Sequence, residues 1–328
     1  MIISKTPLRM SFVGGGSDLP AFYQEEPGAV LSTSIDKYMY IALNRKFDGR
    51  IRINYSRTEE VDCPEQVEHP LVREALFLTG IKGGIEIASL ADIPSKGSGL
   101  GSSSTYTVGI LNALYAYNNQ FVSKETLASM ACDIEINRCG EPIGKQDQYA
   151  AAYGGFNLIR FHPDESVSVD PVICKPELLK NLEDSTLVFF TGRTRSASEV
   201  LSKQSKSLRS KDSKSIMRRM VQLAFDLKAE LEGGSLDNFG SILDENWRLK
   251  AQLSHGITDP QIDAWYAAGI ATGAQGGKIL GAGNGGFMMF FAPPHLHQEI
   301  AKALPDMERV KFGFERTGAQ IVFYQPTE

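Results

Sequence analysis

Cysteine is scarce in this 328-residue chain: Cys63, Cys132, Cys139 and Cys174 are the four present, and no two of them form a CxxC pair. That spacing excludes a disulfide-stapled scaffold and a cysteine-built zinc site, so reduced thiols in a cytoplasmic protein are expected. No apolar run reaches the length that spans a bilayer, and the opening MIISKTPLRMSF has no apolar core behind a positive charge. Neither a membrane span nor an export signal is therefore expected. Basic residues are not in excess either, since 34 Lys and Arg stand against 39 Asp and Glu for a net charge of -5. That argues against a general affinity for nucleic acid or an anionic membrane and leaves room for a local basic patch. Internal repeats are absent, and the one biased tract is the Ser/Lys-rich stretch 202–215. Around it, seven basic residues from Lys203 to Arg219 accompany one acid, Asp212, with no aromatic among them to stack a base. This reads as a solvated helix face, the alternative being a mobile lid over anionic substrates.

What is present suits a folded enzyme, with 42% apolar and 22% charged residues over a length that accommodates two domains. The first third alternates turns with strand-like runs, LRMSFVG, AVLSTSI, YMYIALNRK, RIRINYS and GGIEIASL, and predicts a mainly antiparallel sheet. Helices are expected from about Ser104 to Asn119 and from Ser123 to Cys139, with Ser123 as cap and Gly140 at the end. YGGFNLIRF, VSVDPVI and STLVFFTG return to strand character, and a boundary is placed there, giving domains 1–185 and 186–328. The second part predicts helices near 213–232, 235–254, 259–272 and 295–304, with strands in GKIL, GGFMMFFA, ERVKFGF and GAQIVFYQ. That is an α+β arrangement.

The densest signal is PSKGSGLGSSSTYTV, residues 94–108, where Gly97, Gly99 and Gly101 run into Ser102, Ser103 and Ser104 and then an apolar helix. Glycines let a backbone turn with its N–H groups bared, hydroxyls meet phosphate or a metal ion, and the helix directs its positive end at an anion. A Gly/Ser linker would lack the periodic apolar helix that follows. Three generic motifs fail. Gly281, Gly283 and Gly286 satisfy GxGxxG, but a strand and not a helix follows them. GAQGGK, ending at Lys278, is one residue short of a Walker loop and continues with Ile279 where a hydroxyl is needed. His295 and His297 have no carboxylate or cysteine close by and read as a surface pair.

Two further stretches complete a set. TPLRMSFVGGGSDLPAFY, residues 6–23, puts Arg9 on a strand and Asp18 after a triple-glycine turn able to approach a small polar ligand. EINRCGEPIGKQDQYAAAYGGF, residues 135–156, carries Glu135 near a helix end and Asp147 in a loop between Gln146 and Gln148. Together with the glycine loop these are the parts phosphoryl transfer requires.

PLRMSFVGGGSD, PSKGSGLGSSST and KILGAGNGGF resemble, in order and separation, the three signature motifs of the GHMP kinase superfamily, which includes galactokinase, homoserine kinase, mevalonate kinase and phosphomevalonate kinase. Within it, LRMSFVGGGSDLP and GEPIGKQDQYAAAYGG most resemble the D-glycero-D-manno-heptose 7-phosphate kinases. Kinases of the same fold acting on galactose, fucose, an N-acetylhexosamine or mevalonate are the alternative, and a non-catalytic sugar sensor is a further one. The resemblance implies an N-terminal α+β domain, a C-terminal ferredoxin-like domain and an active site between them, using ATP and Mg2+ on a small sugar or sugar phosphate.

By the same resemblance, Lys96, Gly97, Ser98, Gly99, Leu100, Gly101, Ser102, Ser103 and Ser104 hold the nucleotide phosphates, Ser103 reaching magnesium. Asp147 contacts the attacking sugar hydroxyl, taking its proton or orienting it, and the Arg9 cation supports its negative charge. Glu135 is a candidate magnesium ligand, with a helix-surface salt bridge as the alternative. One more residue separates it from Asp147 than in the mevalonate kinase pattern. Gly16, Ser17 and Asp18, with Gly283 and Gly285, are expected at the sugar. Arg193 and Arg195 suit a second phosphate, or else ordinary surface charge.

Overall fold

The computed structural model describes residues 1–93, 97–193, 197–254 and 256–325. Its strands are β1 (Ile2–Val13), β2 (Gly28–Arg45), β3 (Ile51–Asn54), β4 (Thr58–Val61), β5 (Ile85–Ala91), β6 (Phe156–Phe161), β7 (Val167–Pro171), β8 (Thr186–Phe190), β9 (Gly276–Ile279), β10 (Phe287–Phe291), β11 (Glu308–Val310), β12 (Phe314–Glu315) and β13 (Gln320–Tyr324). AVLSTSI and YMYIALNRK, read as two strands, form the single 18-residue β2. Its first half is buried on both faces beside β1 and β6, whereas its second half alternates where it pairs with β5.

One sheet of nine strands runs β13-β1-β2-β5-β3-β4, with β6, β7 and β12 attached through β2. All its pairs are antiparallel except β3 with β5. The second sheet, of four strands, runs β11-β8-β10-β9, all antiparallel. With helices between β8 and β9 and between β10 and β11, it has the β-α-β-β-α-β pattern of ferredoxin-like folds. The change of sheet occurs at Thr186. ERVKFGF is not one strand: Glu308–Val310 pairs with β8, but Phe314–Glu315 crosses back to β2, and β13 follows it to pair with β1.

The two sheets share apolar contacts. Phe12 of β1 stacks on Phe156 at 5.3 Å and meets Phe239 edge-on at 5.4 Å. Lys278 of β9 is fully buried and donates to the carbonyls of Ser11 and Phe12 at 2.8 and 3.1 Å, where a bulge shifts the β1–β2 register. Burial drives its amine well below the usual lysine range. The lysine of the third glycine motif thus ties the second sheet to the first.

The expected helices form at Ser102–Tyr117, Lys211–Glu232, Phe239–Leu253, Pro260–Ala271 and His297–Ala303. Asp259 caps Pro260–Ala271 by accepting from the N–H groups of Gln261 and Ile262, both at 3.0 Å. Ser123 caps Lys124–Cys132 through the N–H of Thr126 at 3.1 Å, but beyond Cys132 the helix widens into a π turn, Asp133–Arg138. Such turns re-aim side chains, and Glu135 lies in this one.

Candidate active site

The glycine loop and the third glycine motif meet backbone to backbone. Gly97, Gly99 and Gly101 have φ of 70°, 75° and 76°, a left-handed conformation that disfavours a side chain. A Cβ on Gly99 would stand 2.4 Å from the Leu280 carbonyl oxygen, and one on Gly281 2.6 Å from the Gly99 Cα. Beside this junction lies a cleft of about 630 Å³, lined by the loop, the triple-glycine turn, the π turn and the helices Gln146–Tyr153, Ala197–Ser207 and Phe239–Leu253.

Arg9 and Asp147 are its centre. Arg9 donates from Nε and Nη2 to the two carboxylate oxygens of Asp147, both at 2.7 Å, and from Nη1 to the Gly99 carbonyl at 2.7 Å. Its backbone N–H donates to the Leu100 carbonyl at 3.1 Å, so one strand residue fixes both the aspartate and the loop. The arginine side chain is 4% exposed and the aspartate 23%, leaving the carboxylate open to the cleft. Asp147 stands in the first turn of its helix, where a negative charge is favoured.

Glu135 is fully buried rather than in a surface salt bridge. It accepts from Ser103 Oγ at 2.8 Å and from Gln148 Nε2 at 2.5 Å. Burial, aided by the charge of Asp147, pushes its carboxyl up to about 7 against hydrogen bonds that oppose the shift. A buried carboxylate bonded to an exposed hydroxyl on the rim of a phosphate-type loop suits a small divalent ion that keeps its remaining positions for phosphate and water. Among the described residues no cluster of three His, Cys, Asp or Glu forms a metal cage.

Asp18 accepts from the Gly16 N–H at 2.9 Å and from Gln146 Nε2 at 3.0 and 3.1 Å, and burial followed by the Asp147 charge raises its carboxyl. Gly144 permits that placement, because a Cβ there would stand 1.9 Å from Asp18 Oδ2. Gly16, Asp18 and most of the loop from Gly97 to Ser104 line the cleft as expected.

Other expected residues, among those described, do not line it. Ser17 is fully buried, its hydroxyl donating to the Gly14 and Ala29 carbonyls and accepting from the Ala29 N–H, so it shapes the turn. The Leu100 side chain belongs to the core. Arg193 donates to Asp259 Oδ2 at 2.6 Å and is held at a helix cap. Gly283 and Gly285 are packed against main chain, a Cβ standing 2.6 Å from the Ile257 and 3.0 Å from the Arg193 carbonyl oxygens. Lys96 and Arg195 lie outside the described residues. His297 is buried, not at the surface, with Nε2 3.1 Å from the Ala292 carbonyl.

Lys250 and Gln204 are among the cleft residues that escaped sequence reading. Lys250 donates to the Gly281 carbonyl at 2.7 Å, and burial lowers its amine to about 8. The signal was its register, since it shares the buried stripe of Phe239, Leu243, Asn246 and Trp247. Gln204 is fully buried on the helix Ala197–Ser207; nothing in the Ser/Lys-rich tract marks it.

Comparison with known proteins agrees with this geometry. Residues 69–155 match the GHMP kinases N terminal domain and residues 227–308 the GHMP kinases C terminal. The chain is 31% identical to a D-glycero-alpha-D-manno-heptose 7-phosphate kinase from Campylobacter jejuni, over 92% of this chain and 93% of the relative. It is 26% identical to a galactokinase from Pyrococcus furiosus, over 96% of this chain and 95% of the relative. A solved structure described as a D-glycero-D-manno-heptose 1-phosphate kinase from Bacteroides thetaiotaomicron superposes with a TM-score of 0.81 at 28% identity, covering 98% of each chain. The chain therefore belongs to the GHMP kinase family and is a sugar kinase, an ATP-dependent phosphotransferase.

Proposed function

We propose that the chain transfers the γ-phosphoryl group of ATP to the anomeric hydroxyl of D-glycero-D-manno-heptose 7-phosphate, giving the 1,7-bisphosphate in the cytoplasm. The observation that carries this reading is the two-pronged Arg9–Asp147 pair, linked through the Gly99 carbonyl to the loop. It sets an acceptor-activating carboxylate beside a phosphate cradle. The choice of heptose phosphate is supported by the likeness to the Campylobacter jejuni relative over nearly the whole chain.

In this reading the bared N–H groups of residues 97–104 hold the nucleotide phosphates at the start of the helix Ser102–Tyr117. Ser103 and Glu135 would hold Mg2+, which would supply positive charge to the nucleotide phosphates when bound. Asp147 accepts a hydrogen bond from the acceptor hydroxyl, orienting it and taking its proton as the bond to phosphorus forms. Arg9 keeps that carboxylate from swinging, since two parallel bonds fix it in plane. Asp18, braced by Gln146, holds a second hydroxyl. Little covalent help is needed in phosphoryl transfer, so placement and electrostatics supply most of the rate.

The test is coupled ADP release with Mg-ATP on heptose 7-phosphate, heptose 1-phosphate, free heptose, galactose, fucose, an N-acetylhexosamine and mevalonate. Selective turnover of heptose 7-phosphate is expected. Turnover of another acceptor alone overturns the substrate assignment, and turnover of none overturns the kinase reading.

A further inference from the structure

The triple-glycine turn creates space on the acceptor side of the cleft, and two side chains from the second part of the chain enter it. A Cβ on Gly16 would stand 2.2 Å from Gln204 Nε2, and one on Gly15 would stand 3.7 Å from Lys250 Nζ. A side chain at position 16 would obstruct Gln204, whereas Lys250 Nζ lies at van der Waals distance from position 15. The helix carrying Lys250 is seated on this turn one helical turn earlier as well, where Asn246 Oδ1 accepts from the Gly14 N–H at 3.1 Å.

Both groups hold polar capacity that the protein does not use. Gln204 lines the cleft, is fully buried, and among the described residues neither its Nε2 nor its Oε1 has a hydrogen-bond partner. Buried amides are almost always paired, and one with both ends unpaired calls for a missing partner. An amide offers one acceptor and two donors, which complements a hydroxyl pair on a sugar. Lys250 has three donors, and the Gly281 carbonyl takes one. Arg9, the other cation lining the cleft among the described residues, is already committed to Asp147 and Gly99.

We propose that Gln204 and Lys250 are acceptor-specificity residues: the Gln204 amide and the free Lys250 donors bind hydroxyls of the sugar held over Gly15 and Gly16, opposite Asp18. The inference rests on the kinase reading above. It assigns acceptor recognition to both parts of the chain, with the glycine turn as the floor and the helices Ala197–Ser207 and Phe239–Leu253 as the walls. The phosphate loop serves the nucleotide independently of these two side chains.

The experiment uses the full chain with Gln204→Met and Lys250→Met, which keep side-chain length and remove the polar atoms. Steady-state KM for heptose 7-phosphate and for ATP, equilibrium binding of ADP, and the melting temperature are measured for each. The expected result is a rise of about tenfold or more in sugar KM, with ATP KM and ADP affinity within about twofold of wild type. Melting temperatures should not fall, because each substitution removes a buried polar group. Should Lys250→Met fail to fold, Gln204→Met alone decides. Unchanged sugar KM, or a loss shared equally by sugar and nucleotide, overturns the inference and leaves the kinase reading intact. Absence of wild-type turnover on every sugar overturns the kinase reading and this inference with it.

Discussion

Replacing Arg9 by lysine keeps the charge and removes the fork. Arginine makes three hydrogen bonds of 2.7 Å here, two to Asp147 and one to the Gly99 carbonyl. A lysine ammonium on a shorter reach meets one carboxylate oxygen and gives up the second and the carbonyl. Bonds to charged groups contribute roughly 1.5–3 kcal/mol each, so the gross loss is about 3–6 kcal/mol. Asp147 is 23% exposed, so water replaces part of what the carboxylate loses; about 3 kcal/mol of placement remains lost. At about 1.4 kcal/mol per decade this is a fall of about 100-fold in kcat. The Arg9 N–H to Leu100 carbonyl bond belongs to the main chain and survives the substitution, so ATP KM should move less than about threefold. Coupled ADP release reads both constants, with circular dichroism as the folding control. A folded variant with kcat within about threefold of wild type would refute the claim that the fork positions Asp147.

Three further outcomes follow from the same geometry. Gly144→Ala places a Cβ on Asp18 Oδ2, at 1.9 Å without movement, and should raise sugar KM at least about tenfold while sparing ATP KM; steady-state kinetics checks it. Glu135→Gln keeps the shape and removes the carboxylate from the proposed magnesium pair, so the Mg2+ concentration at half-maximal rate should rise about tenfold, read by a magnesium titration at fixed ATP. Burial lowers Lys250 from 10.5 to about 8, which means folding strains its charged form below pH 8 and the strain disappears as pH rises to 10.5. Melting of Lys250→Met against wild type should therefore show the variant's relative advantage shrinking by up to about 3 kcal/mol between pH 7 and pH 10.5. A pH-independent difference would contradict it.

The glycine blocks were legible because backbone geometry demands glycine there. Gly97, Gly99 and Gly101 adopt positive φ, and two loops distant in sequence touch through their main chains. Arg9 and Asp18 were legible because they flank the triple-glycine turn, and Asp147 and Glu135 because the block that carries them resembles one of the family, although Glu135 stands one residue further from Asp147 than in the mevalonate kinase pattern. Gly283 and Gly285, expected at the sugar, are packed closely against main chain, and sequence does not distinguish such packing from ligand approach. Arg193 was read as suiting a phosphate or else as ordinary surface charge, and its guanidinium is bonded to Asp259, 66 positions away. The return of β12 and β13 to the first sheet was hidden as well, since strand patterning carries no sign of which sheet a strand joins. Gln204 needed the tertiary structure, because a glutamine in a Ser/Lys-rich helix ordinarily faces water, whereas Lys250 was marked only by its register on an apolar stripe.

The most direct test of the account is phosphorus NMR of the product formed from Mg-ATP and heptose 7-phosphate by the wild type and by Asp147→Asn. The account predicts a new phosphate resonance on the anomeric carbon, appearing in step with ADP in the wild type and lowered at least about 1000-fold in rate in the variant. Release of inorganic phosphate without a second sugar phosphate, or an Asp147→Asn rate within about tenfold of wild type, would contradict it.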